Sequence, residues 1–478
     1  MNKFHLFFLY FLVFVTTYCN AQSITVSDDV NVRNDAGYEI LGRYKGNLLL
    51  FRDKNGEYEV TAFDEQMHST WTREITFIEK KVQVLDATQG VDYFVIVYKA
   101  KEKNNNIVKI NRFDGDTKFI DSAMVKNYGS RFYLPNPISI FSENKKIVLV
   151  YSFNQDGNLE ATSFDIENMK MMWQKEITLP EIVQNTENFR QAIVDNTGKA
   201  HFIFEKDETA ALFGGSAHQY VVCEANQSTN SNYKIILKEY AIYGIRFDFD
   251  NLNQQLSGVG LYSEIGKSRA TGCFFLRLNN GIPKLSLEVF NDDLASAVAG
   301  KEIKNNKGIP DLKPQNIVFR KDGGVVAFFE EVRQYSRASA GLGTRGIGFS
   351  TENTGRFVMD YYCDNLIAVS FNPDGTVQWK KVLPKKQFSQ DDEAIFSSYG
   401  LLKTPRAIRI IFNDAINSET TTSEYIMNGK GLVDRHSMFN TANQDILLRF
   451  QDAMQLSSDE VVIPSEYRNK LRLVRLRY

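Results

Sequence analysis

The chain has 478 residues, 43% hydrophobic and 24% charged, so it is globular and long enough for two or three domains or one large repetitive one. Lys+Arg 56 against Asp+Glu 58 gives a net charge of -2, without the basic excess of a nucleic-acid binder. His 5 and Cys 4 leave little material for a metal centre, while Phe 35 and Tyr 22 against Pro 10 favour strands.

The first element is a leader. A lone Lys3 precedes an uncharged apolar run from Leu6 to Val15, and Asn20-Ala21-Gln22 follows. This is the layout of a secretory signal peptide over residues 1–21, with cleavage expected after Ala21. The alternative is a lipoprotein cut before Cys19, which the bulky Tyr18 disfavours. No later stretch approaches the roughly 20 apolar residues of a membrane-spanning helix. The mature chain, 22–478, is therefore expected to be soluble and outside the cytoplasm, and it keeps Cys223, Cys273 and Cys363. Three thiols make no disulfide framework. They read as buried strand residues, with a Cys223–Cys273 bridge left open if their Cα atoms come within about 7 Å.

Beyond the leader, alternating apolar runs are separated by turns: Asn55-Gly56, Asp114-Gly115, Asp156-Gly157, Thr197-Gly198, Asn280-Gly281, Asp322-Gly323, Asp374-Gly375 and Asn428-Gly429. Such dipeptides suit type I′ hairpins, because both central residues need positive φ. Three tryptophans share one context: Ser69-Thr70-Trp71 before Ile75, Met171-Met172-Trp173 before Ile177, and Val377-Gln378-Trp379 before Leu383. Equivalent strands without Trp follow Lys118, Tyr233, Pro283 and Leu432. About seven units result, mostly 50 to 60 residues apart, the signature of a β-propeller. Each Trp is expected to wedge between blades. The expected architecture is all-β: one propeller of seven blades (six to eight), closed by pairing the C-terminal run 470–478 with an N-terminal strand, for which Tyr38–Gly42 is the candidate.

Two insertions break the rhythm. Residues 291–312 begin as a short helix, capped by Asn291 or Asp292 and ended by Gly300. Residues 333–358 read as a mobile loop projecting from the sixth unit. It holds Gly341-Leu-Gly343-Thr-Arg-Gly346, a formal dinucleotide motif that lacks the strand–helix setting such binding needs. It also interleaves Arg333, Tyr335, Arg337, Arg345, Phe349 and Arg356, residue types favoured where proteins bind one another. Further on, Lys385 and Lys386 adjoin Asp391-Asp392-Glu393, which reads as a charged surface loop or a docking patch.

Catalytic and metal signals are thin. His68, His201, His218 and His436 form no close pair for an ion, and the acidic segments at 154–160 and 248–250 lack the calcium-loop pattern. No G-x-S-x-G elbow occurs, and no catalytic residue, cofactor or metal site is assigned. A carboxylate pair in an axial funnel would leave no trace in chain spacing.

Several segments resemble secreted propeller-forming proteins of Bacteroidota: Gly258–Ser263, Gly272–Arg277, Leu312–Val318, Lys321–Gly324, Tyr361-Tyr362, Leu366–Gly375, Trp379–Pro384 and Phe396–Tyr399. The Asn-Ala-Gln leader ending is similar to leaders of that phylum. The resemblance implies an envelope location and a binding or accessory role, and it carries no catalytic residues. Secreted relatives there often end in a sorting domain opening on Pro-Asn-Pro. Here that tripeptide occurs at 135–137, which favours the periplasm over the cell surface. Two readings stand: a non-enzymatic module binding a protein partner, as accessory subunit of an outer-membrane complex, or a propeller that binds or cleaves glycan in its funnel.

Overall fold

The computed structural model describes residues 22–130, 136–180, 186–206, 218–237, 240–264, 269–279, 281–305, 307–338, 357–414, 416, 421–441 and 445–478. The expected leader, the Gly341–Gly346 motif, Arg345, Phe349 and Arg356 lie outside these residues.

The second strand of each repeat is apolar at nearly every position, as in Leu48–Phe51, Phe94–Tyr98 and Val325–Phe329. Such a strand must be covered on both faces. The described strands accordingly form eight antiparallel sheets, at 37–75, 80–129, 138–177, 189–237, 240–289, 312–390, 400–440 and 454–477. Four strands run outward in chain order in each of the first seven, and the inner strands of successive sheets touch around a common axis. The fold is a β-propeller with eight blades.

Strand alternation explains the stacking. In blade 1, Leu49 and Phe51 face blade 2 while Leu48 and Leu50 face blade 8. In blade 2, Phe94, Ile96 and Tyr98 turn back to blade 1 and Val95 and Val97 turn to blade 3. Eight apolar clusters result, one at each interface, including that between blades 8 and 1. Cys223 lies in the cluster between blades 3 and 4 and Cys273 in that between 5 and 6, so the two remain separate buried thiols.

Seven blades were expected, and the reason for the eighth is topological. All seven sequence units are outermost strands of blades 1 to 7. In blade 8 that position is filled from the other end of the chain, by Ser23–Val26, which pairs with Lys470–Arg477. The closing strand is thus not Tyr38–Gly42, which begins the inner strand of blade 1. Charge reinforces this closure. Asp29 receives Lys470 and Arg472, which hold its carboxyl down at about 2, and Glu460 joins Arg43 at 2.5 Å to Arg477 at 3.1 Å.

Most of the expected type I′ turns are another kind. Asn55-Gly56 is a two-residue hairpin with both φ positive. The loops 114–118, 154–158, 195–199, 372–376 and 428–432 instead close over three residues, with a left-handed residue fourth. In four of them the leading Asp or Asn side chain accepts backbone N–H groups inside the loop, as Asn154 does from Asp156 and Asn158, while at 372–376 Asp374 accepts from Thr376 N. At 154–158 the turn is held by the Asn154 side chain, and Glu160, in the strand that follows, pairs with Lys126 at 3.2 Å.

The tryptophans occupy equivalent places, each beside a register shift in an outermost strand. Trp173 donates its indole N–H to Gly198 O of the next blade at 2.8 Å, and Trp379 to Gly429 O at 3.2 Å. The helix Asp292–Ala299 is capped by Asn291, whose side chain accepts from Leu294 N, and ends at left-handed Gly300. It packs Leu294, Ala295 and Val298 onto the interface of blades 5 and 6.

Trp173→Ala should destabilise the protein by about 3–5 kcal/mol in urea unfolding, and the half-buried Trp71 and Trp379 should cost less. A loss within 1 kcal/mol at Trp173 would contradict the wedge.

Candidate functional site

Connections from first to second and third to fourth strands leave one face of the ring. The strand ends joined by the other connections lie at the opposite face.

Blade 6 rises above that opposite face. Its strands Val325–Ala338 and Phe357–Phe371 stay paired as far as Ala338 with Phe357, and Gln387–Gln390 adds a third strand. The expected loop is therefore a sheet at both of its ends. Arg333 faces Tyr362, Tyr335 faces Asp360 and Arg337 faces Val358, so all three predicted residues share one side of the projection. The Arg333 guanidinium pairs with Asp364 and lies 5.4 Å from the Tyr362 ring centre. Tyr335 meets Tyr362 edge-on at 6.0 Å, and Tyr362 meets Phe388 at 5.0 Å. Arg337 binds Asp360 at 2.6 Å, while Tyr335 keeps 54% of its surface exposed. Sequence reasoning missed Tyr362 and Phe388, which reach this surface only through strand pairing.

Lys385 is a correction. It was expected on a charged surface, yet it forms a 2.6 Å ion pair with Glu330 in which both side chains are 0% exposed. Its Nζ also donates to Cys363 O at 2.6 Å and Gln387 Oε1 at 2.7 Å, while Ser398 donates to Glu330 at 2.7 Å. A charge removed from water needs such a full set of partners, so Lys385 belongs to the interior of blade 6 and not to its surface. Lys386 points outward. Asp391 accepts from Met359 N of the strand Phe357–Phe371, and Asp392 accepts from Ala394 N within the local turn.

A second feature lies on the axis. A cavity of about 810 Å³ runs from Val32–Ala36 and Arg449–Ala453 on the long-connection face to Gln89 and Glu143–Lys145 at the other. Glu39 of the first inner strand projects into it. Burial pushes its carboxyl up to about 7, with Asp86 and Asp452 adding repulsion against a smaller pull from Lys145. Asp86, on the inner strand of blade 2, is raised by burial to about 6 although it accepts from Ala87 N. Water reaches Glu39 along the axis while protein surrounds it, so the side chain is exposed yet poorly solvated. Asp248 of blade 5 is raised for the same reason. The sequence does hold a trace of this arrangement: a lone acid within the first apolar run of a unit, as in Tyr-Glu-Ile-Leu and Val-Leu-Asp-Ala.

The buried histidines serve structure. His201 lies between Glu224 at 3.0 Å and Asp195 at 3.7 Å, and His218 bonds Glu205 at 2.7 Å. Among the described residues no group of His, Cys, Asp and Glu has the geometry of a metal site. No described helix is long and apolar enough to cross a membrane.

No family model and no curated protein matches the chain. Among solved structures it is similar to the β-propeller domain of the Trilobed protease from Pyrococcus furiosus, at 9% identity over 87% of this chain and 98% of that one, with TM-score 0.33. It is also similar to Porphyromonas gingivalis dipeptidyl peptidase 4, at 10% identity over 90% of this chain and 56% of that one, TM-score 0.43. A europium-containing methanol dehydrogenase gives 9%, 95%, 93% and 0.40 on the same measures. At these values the likeness concerns the propeller fold alone, and the blade count rests on the strand pairing above.

The raised Glu39 carboxyl gives a pH prediction. The folded group holds its proton where the unfolded one has lost it, so it lowers stability as pH rises from the ordinary 4.5 to about 7. Glu39→Gln should therefore match the parent in thermal unfolding at pH 4 and exceed it at pH 8. A difference independent of pH would contradict the assignment.

Proposed function

We propose that the mature chain is a non-enzymatic binding module of the cell envelope, held in the periplasm as an accessory subunit of an outer-membrane protein complex. The observation that carries this reading is the blade 6 projection, which sets Arg333, Tyr335, Arg337, Tyr362 and Phe388 on one side of a sheet. Its cations are oriented by Asp364 and Asp360 before any partner arrives, so little side-chain freedom is lost on docking. The occupant is a folded protein, for which exposed tyrosine and pre-oriented arginine are the favoured anchors. Exposed Lys386 borders the same surface. Residues 1–21 supply export, and the resemblance to secreted propellers of Bacteroidota supports the location.

Crosslinking and recovery from native envelope tests this. The parent chain should bring down an envelope protein, and the pair Tyr335→Ala with Arg337→Ala should weaken that complex by about 2 kcal/mol or more. Recovery as a free monomer, or unchanged recovery by the double variant, would overturn the reading.

A further inference from the structure

Elsewhere several part-buried cations are matched to an acid: Arg43 to Glu460, Arg52 to Asp35, Lys109 to Glu79, Arg409 to Glu424. The axial cavity differs. Among the described residues Glu39 and the side chain of Gln89 have no hydrogen-bond partner, Lys145 has no ion-pair partner, and the Tyr38 hydroxyl is buried without one. These groups belong to blades 1, 2 and 3 and line one continuous space; the Lys145 ammonium lies 5.9 Å from the Phe141 ring centre and the Arg449 guanidinium 5.4 Å from that of Tyr38, and neither contact supplies a hydrogen bond. The inner strand also leaves room for one of them. A Cβ on Gly42 would lie 1.9 Å from Gln89 Oε1, and Gly42 has φ of +93°, so a side chain there would displace the amide.

We propose that the axial cavity binds a neutral, polyhydroxylated ligand, a short oligosaccharide, through Glu39, Gln89, Lys145 and Tyr38. A cavity of about 810 Å³ is in the range of small-ligand sites, roughly 300–1,000 Å³. A carboxyl poised near neutrality, an amide, a phenol and an ammonium offer donors and acceptors together, as hydroxyl groups require. An apolar ligand would strand these groups. An anion would meet Asp35, Glu39, Glu143, Asp452 and Glu466, which outnumber Lys145 and Arg449. A cation would meet the unpaired Lys145 ammonium beside a carboxyl that is often protonated. This site is separate from the blade 6 projection, and either can fail without the other.

The test uses the mature chain, 22–478, on an array of neutral and acidic oligosaccharides, followed by calorimetry with each hit and with spermidine as the cationic probe. At least one neutral oligosaccharide should bind, and Gln89→Leu and Lys145→Met should each weaken it about tenfold, the size of one lost hydrogen bond to a charged or buried group. Lys145 is an exposed turn residue, so that variant should fold if Gln89→Leu does not. Tyr335→Ala should leave the affinity unchanged. No binding by any neutral oligosaccharide, binding indifferent to both variants, or binding of spermidine or acidic glycans alone would overturn the proposal.

Discussion

Each blade is apolar on both faces, and this constraint organises the rest of the molecule. A sheet with one wet face could end a stack; these sheets cannot, because consecutive residues such as Leu48, Leu49, Leu50 and Phe51 point to opposite neighbours. A stack without ends must be a ring. Seven interfaces join blades linked directly along the chain, and the eighth depends on Ser23–Val26 pairing across the termini. The ion pairs at that seam supply orientation where the connecting chain does not, since exposed pairs of this kind add little stability.

Much of this was legible. Hairpin turns, the tryptophan context and the continuous apolar strands are local signals that survive in any register, and they identified the propeller and seven of its outermost strands. The eighth blade was not legible by period, because its outermost strand is displaced by almost the whole chain length. The turn at Asp114-Gly115 misled because the left-handed position is Thr117, and a dipeptide does not reveal which loop length encloses it. Lys385 misled for a different reason: a lysine between Pro384 and Lys386 looks exposed, and only the strand pairing of blade 6 places Glu330 within 2.6 Å of it. The axial carboxyls were present in the sequence, but nothing in chain spacing says that Glu39 and Asp86 share an axis.

The two faces of the ring divide its work. Most of the tight Asx turns lie on one face, where they lock neighbouring strands and where Trp173 anchors to the 195–199 turn; the 154–158 turn, between second and third strands, lies on the other. The opposite face carries the helix, the blade 6 projection and one end of the cavity. Rigid blades set the positions there, while the connections are free to vary without disturbing the apolar interfaces. Both proposed contacts, one for a protein and one for a small ligand, rely on that division.

Closure by the first strand is the central claim, and hydrogen–deuterium exchange over residues 470–478 tests it most directly. In a chain beginning at Gln22, amides from Leu471 to Leu476 should be protected throughout, because Lys470–Arg477 pairs with Glu460–Tyr467 on one side and with Ser23–Val26 and Val30–Asn31 on the other. In a chain beginning at Val32, alternate amides of that strand should exchange quickly while blades 4 and 5 remain protected. Equal protection of residues 470–478 in the two chains would contradict closure by Ser23–Val26.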